Sequence, residues 1–255
     1  MSLINYKLGK APARHDSRTL LLANYLTLSA TLPSAPFFGI NYSKKVTMPC
    51  GLFMNDTLGD CTCAAVCHAI QVVTANASME LTLPDTAALS MYEYSCGYKV
   101  GDSTTDKGGV CIDVLTDWIN HGIGSFGHNL SAFTFVSPLN HSEVSAALNL
   151  FGFLYIGVQL PISAQSQIGS LWETDNTSAG TPNSWGGHCV IVVAEDFIGP
   201  TVITWGKLQQ MSWNFWDRYV DEAYACVTPE WIEATGSAPS GFNLSALMAD
   251  LKLIQ

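Results

Sequence analysis

The chain has 255 residues, 48% of them hydrophobic and 13% charged, enough to bury a large core in one two-lobed domain or two small ones. Eleven Lys and Arg against 21 Asp and Glu leave a net charge of −10 with no basic cluster, so nucleic acid is not an expected partner. No apolar secretion signal opens the sequence and no run approaches the roughly 18–20 apolar residues that span a bilayer, so no membrane partner is expected and a soluble, cytoplasmic or virion-associated protein is.

Residues 1–48 read as an N-terminal arm, with a polar start, the apolar stretch Leu20-Leu21-Leu22-Ala23-Asn24-Tyr25-Leu26 and a Pro-broken segment at 32–36. Residues 49–130 read as a helical lobe. Its best-supported element is 60–76, which lacks Pro and Gly and is apolar nearly all round, the pattern of a helix buried in mid-protein. Two further helices are expected, at 85–94 after Pro84 and at 112–121 before Gly122. Residues 131–235 read as a β lobe, with β-branched and aromatic runs at 132–136, 153–160, 189–194 and 201–205. Short helices are placed at 142–150 and 213–220, a polar surface loop bordering a cleft at 163–183, and a C-terminal tail at 236–255. Helices followed by strands give an α+β class. The eight cysteines are too few for a disulfide scaffold, and most are expected as buried thiols.

Chemistry concentrates in Asn55-Asp56-Thr57-Leu58-Gly59-Asp60-Cys61-Thr62-Cys63. Gly59 permits a tight turn and Asp60 is a good N-cap, which places Cys61 in a first helical turn, where free N–H groups and the macrodipole favour thiolate. Asn55, six residues upstream, has an amide that could fold back beside the Cys61 N–H and make two donors for an oxyanion. His68 shares the helix but lies roughly 10 Å along its axis, out of hydrogen-bond reach, and reads as a core histidine. His188 follows Gly186-Gly187 and opens an apolar strand, so its ring is expected at a sheet edge with Gly187 allowing close backbone approach; it is the better base. Cys61, Cys63, Cys67 and His68 do not share the helix face that a zinc site needs. Asp217, Asp221 and Glu222 read as a solvated face.

Residues 55–65 resemble the active-site loop and central helix of papain-like cysteine peptidases, with an amide residue six positions before a Cys and small residues after it. Gly187-His188-Cys189-Val190 resembles that family's His-bearing strand, and Thr204-Trp205-Gly206 the tail of its Asn-Ser-Trp-Gly motif, in the family order. Asn55 to Thr62, Ser184-Trp185-Gly186-Gly187-His188 and Asp221-Glu222-Ala223-Tyr224-Ala225 resemble, more narrowly, bacterial and phage-encoded papain-fold proteins of undefined role. The resemblance implies a two-lobed α+β domain and a thiol hydrolase or acyl transferase acting on a peptide or protein. It assigns Cys61 as nucleophile, His188 as base, Asn55 as oxyanion donor and Trp205 as the shield over the pair, with no metal and no organic cofactor.

Three residues depart from that pattern. Asn55 replaces the family's Gln, Thr62 its Trp, and the slot for the Asn that orients the His falls on Ile203 or Thr204; of these only the Thr204 hydroxyl could hold an imidazole, the alternative being that His188 works with Cys61 as a dyad. Asn183-Ser184-Trp185-Gly186 spells the motif but precedes the His, and reads as loop. The rival reading is a catalytically decayed or repurposed papain fold, serving as a structural or binding component of a phage particle or bacterial assembly. The arm before Met48 lacks a long charged helix and is not expected to act as an inhibitory segment.

Overall fold

The structure, a computed structural model, describes residues 6–26, 39–77, 79–235 and 242–254. Its first long element is α1 (Cys61–Ala77), in which every residue from Cys61 to Ala75 is buried, as an all-round apolar helix requires. Around it pack α2 (Asp85–Cys96) and α3 (Cys111–His121). In α3 the buried residues Cys111, Ile112, Val114, Leu115 and Trp118 form one stripe of helical spacing. α2 ends where Gly97 adopts φ 72° and its N–H caps the carbonyls of Glu93 and Tyr92.

The strands are β1 (Ile40–Asn41), β2 (Ala132–Phe135), β3 (Leu154–Leu160), β4 (Gly186–Glu195), β5 (Pro200–Thr204), β6 (Lys207–Gln210) and β7 (Val220–Val227). They form one antiparallel sheet in the order β2-β7-β3-β4-β5-β6, with β1 paired to the far end of β4. Alternation along β4 divides the core. Cys189, Ile191 and Val193 join the cluster built on α1, whereas Val190 and Val192 join a second cluster with α4 (His141–Phe151) and α5 (Trp213–Tyr219). The sheet therefore has the helical lobe on one face and α4 and α5 on the other. Two helices close the chain, α6 (Pro229–Thr235) and α7 (Leu244–Ile254). No helix among the described residues is long and apolar enough to cross a membrane.

Two local expectations fail. The expected 213–220 helix forms, as Trp213–Tyr219, but the chain turns straight into β7, so Asp221 and Glu222 are strand residues and Glu222 is 2% exposed rather than solvated. The 163–183 stretch is more than a polar loop, because Trp172 is fully buried, donates to the Ala164 carbonyl and stacks on Phe215. His188 pairs with Val158 on β3, whereas β5 joins β4 only from Ile191 on, so the ring emerges where β4 is locally free on one side, as expected of a sheet edge.

Candidate active site

The turn before α1 is anchored by Asp106, whose carboxylate accepts from the Gly59 N–H at 2.9 Å and the Tyr92 hydroxyl at 2.7 Å. Asp60 then caps α1 with its backbone, the carbonyl accepting from the N–H groups of Cys63 and Ala64. Its side chain does not cap. Both carboxylate oxygens are sealed from water without a hydrogen bond of normal geometry, and burial pushes the group up to about 8, partly offset by the nearby Asn55 amide.

Cys61 begins α1 as expected, but its sulfur is not acidic in this state. The residue is 1% exposed, and burial drives the thiol well above its ordinary range, with Cys189 and Asp60 adding to the rise. The N–H groups of Cys189, 3.4 Å from Sγ, and of Gly9 oppose it too weakly to prevail. Burial outweighs the helix terminus because N–H dipoles stabilise a thiolate by a kcal/mol or so, whereas desolvating the anion costs several.

Cys61 and His188 line the same small cavity, together with Asn55, His68, Thr204 and Trp205. It has room for about 10 Å³ of water centres, the size of one water molecule, so nothing larger enters in this state. His188 is 1% exposed; its Nε2 shares a 2.8 Å hydrogen bond with Thr204 Oγ1, and its Nδ1 is buried without a partner. Burial lowers the imidazole to about 3, with His68 contributing, so it is neutral here. Trp205 lies flat on the ring, with centroids 4.5 Å apart at 15°. That tryptophan has φ 45°, an unusual angle for a bulky residue, and donates from Nε1 to the Lys7 carbonyl at 3.2 Å. His68 is a core histidine, bonded through Nε2 to the Gly51 carbonyl at 2.8 Å and lowered to about 4 by burial. Asn55 donates one amide hydrogen to the Leu58 carbonyl at 3.1 Å, and its amide also lies beside the Asp60 carboxyl. Asn183 is exposed and bonds through its backbone N–H to Gln159, away from the cavity.

The arm supplies the main feature the sequence did not suggest. Residues 6–11 lie across the mouth of the site. Lys7 N–H donates to the Asn55 carbonyl at 3.2 Å, Lys10 N–H to Gly187 at 3.0 Å and Ala11 N–H to Gly109 at 2.8 Å, while Gly109 N–H donates to Gly9 at 2.7 Å. Gly9 passes so close that a Cβ there would overlap the Gly59 carbonyl. A cleft of about 370 Å³ remains beside this strap, bordered by Gly59, Asp106, Gly108, Trp185 and Gly186. The strap was missed because Lys7-Leu8-Gly9-Lys10-Ala11 has no periodicity or charge run to mark it; its partners are backbone groups, which sequence does not distinguish.

No family model matches the chain, and no curated protein matches it. Solved structures do. Xylellain, a cysteine protease from Xylella fastidiosa, superposes with a TM-score of 0.67 at 14% identity, over 89% of this chain and 98% of that one. Procathepsin B S9 from Trypanosoma congolense gives 0.55 at 10% identity, over 87% and 86%. Digestive procathepsin L 3 of Tenebrio molitor gives 0.54 at 11% identity, over 89% and 77%. The chain has the papain-like, two-lobed α+β fold.

Proposed function

We propose that the chain is a papain-like thiol hydrolase, a peptidase, amidase or acyl transferase for peptide or isopeptide bonds, held in a closed state. The observation that supports this most is His188: one ring nitrogen is bonded by Thr204, the other is buried without a partner, and the residue lines the same one-water cavity as Cys61 at the start of α1. A ring donating from Nε2 to Thr204 has a bare Nδ1 to take the Cys61 proton. The thiolate then adds to the substrate carbonyl, whose oxygen gains negative charge facing the Cys61 N–H, with the Asn55 amide turning from Asp60 to meet it. Collapse expels the amine as His188 returns the proton, leaving an acyl-enzyme; water or another nucleophile takes the acyl group, with His188 again acting as base. Trp205 covers the ring and keeps bulk water from its far nitrogen.

The test is alkylation by low-dose iodoacetamide from pH 5 to 9, with adducts mapped over all eight cysteines, on the natural chain and on Gly9→Ala, in which the strap cannot seat. Selective labelling of Cys61 in Gly9→Ala at a pH below the ordinary thiol range supports the reading; a rate like that of free cysteine refutes it. A second reading rests on the burial of Cys61 at 1% exposure beneath the strap. In it the fold is a decayed or repurposed component of a phage particle or bacterial assembly, and Cys61 stays inert even in Gly9→Ala.

A further inference from the structure

Lys10 is the most deeply placed residue of the strap. Its side chain is 2% exposed, with Nζ 2.8 Å from Asp221 Oδ2 and 3.0 Å from Glu222 Oε1 on β7. The stem runs against Gly157 on β3, so closely that a Cβ at that position would overlap Lys10 Cε. Burial opposes the ammonium, but Glu222 and Asp221 outweigh it and hold the group more firmly protonated than usual. Gln159 donates to Asp221 at 3.2 Å and Tyr224 to Glu222 at 2.8 Å, which fixes both carboxylates toward the same point. Asp221 Oδ1 stays buried without a hydrogen bond, a spare acceptor.

Two carboxylates facing one ammonium leave the pocket one negative charge in excess. Among the described residues no other cation pairs with either acid. Emptying such a pocket leaves two carboxylates without their charged partner, which is costly, so the pocket favours a cation. Its place relative to the sulfur is set by the strap: Gly9 lies on Cys61, Lys10 is the next residue, and the backbone of the segment is bonded to Gly187 beside His188 and to Gly109 of the helical lobe. An extended peptide held by these same carbonyls and N–H groups puts a side chain into the same hole.

We propose that the pocket formed by Gly157, Asp221 and Glu222 is a substrate subsite for a lysine or arginine side chain within two residues of the bond attacked, and that Lys10 occupies it as a resident, competing ligand. The proposal rests on the hydrolase reading for its location and is tested separately from it. Emptying the site without touching the acids requires moving the strap, which Gly9→Ala and Lys10→Ala do by different means; the unfolding midpoint of each identifies any variant that fails to fold.

On both backgrounds, combined with Cys61→Ser to block turnover, the binding of a fluorescent six-residue copy of the strap (Tyr-Lys-Leu-Gly-Lys-Ala) is measured by anisotropy, beside the same peptide with its second lysine Nε-acetylated. The expected result is at least about tenfold tighter binding of the unmodified peptide. The gap should fall to within about twofold when Asp221→Asn and Glu222→Gln are added. Equal binding of the two peptides, or a gap that survives loss of both acids, overturns the subsite. In the unblocked variants, cleavage of fluorogenic peptides should favour Lys or Arg over Leu at the matching position by a similar factor. Selective Cys61 labelling with no basic preference would sink the subsite and spare the hydrolase; basic-selective binding with an inert Cys61 would do the reverse.

Discussion

The site predicts a stability maximum near pH 6.5, from three buried groups whose effects have opposite signs. His188 and His68 are lowered to about 3 and about 4, so between those values and 6.5 the unfolded chain binds two protons that the folded chain refuses. Asp60 is raised to about 8, so from its ordinary 3.8 up to that value the folded chain keeps one proton that the unfolded chain has released. From pH 4 to 6.5 the unfolded state therefore holds a net excess of one proton, and stability rises with pH by about 1.4 kcal/mol per unit. From 6.5 to 8 only the Asp60 proton remains, bound in the folded state, and stability falls with pH at about the same slope. Asp60→Asn should flatten the alkaline limb and steepen the acid limb to about 2.7 kcal/mol per unit. Urea melts followed by tryptophan fluorescence at half-unit intervals from pH 4.5 to 8 give both slopes. Comparing variant with parent removes the contribution of other buried acids such as Glu195. If Asp60→Asn leaves both limbs unchanged, the carboxyl is not protonated in the native state and the reasoning fails.

Other changes probe single links. Cys61→Ser should abolish any acyl-enzyme seen by intact mass while moving the melting temperature little, since the sulfur packs at the start of α1 and the hydroxyl is smaller; a grossly unstable variant would make Cys61 a core residue only. Asn55→Ala on the Gly9→Ala background should lower kcat roughly 10²- to 10³-fold if its amide meets an oxyanion, and an unaltered kcat removes it from the site. Thr204→Val deletes the hydroxyl on His188 Nε2; the acid limb of the pH–rate profile should shift and kcat should fall, whereas an unchanged profile would show that Trp205 alone holds the ring. Ile70→Ala, at the buried centre of α1, should cost about 2–5 kcal/mol by urea denaturation without altering substrate preference.

How much of this was legible depended on the kind of force involved. α1 was readable because an unbroken apolar helix has only one home, and Cys61 at its start followed from Gly59-Asp60. The order of Cys61, His188 and Trp205 carried the fold. β7 was not readable, because Asp221 and Glu222 look like surface until the cation that pairs with them is known, and Lys10 lies 211 residues before Asp221. β6 was missed because Lys207-Leu208-Gln209-Gln210 is the polar edge of the sheet and lacks alternation. The expected acidity of Cys61 failed for a different reason. The helix terminus was read correctly, but the strap that desolvates the sulfur is held by backbone hydrogen bonds, and no residue type announces those.

The strap also changes the chemistry it covers. With the thiol held well above its ordinary range and the imidazole near 3, moving the proton from Cys61 to His188 in the closed state is strongly uphill before any bond to carbon forms. Both displacements have the same first cause, burial, and water returning to the cavity relieves both together: the thiol falls, helped by the amides at the start of α1, and the ring rises. One movement of residues 6–11 thus exposes the sulfur, brings the two pKa values toward each other and frees the acidic pocket for another cation. It follows that strap variants and added basic peptide should act on alkylation in the same direction. Gly9→Ala should raise the Cys61 labelling rate at pH 7 by lowering the thiol's pKa as well as by exposing it, and its rate–pH curve should shift to lower pH instead of rising evenly. A uniform rise at all pH values would mean that the strap controls access alone.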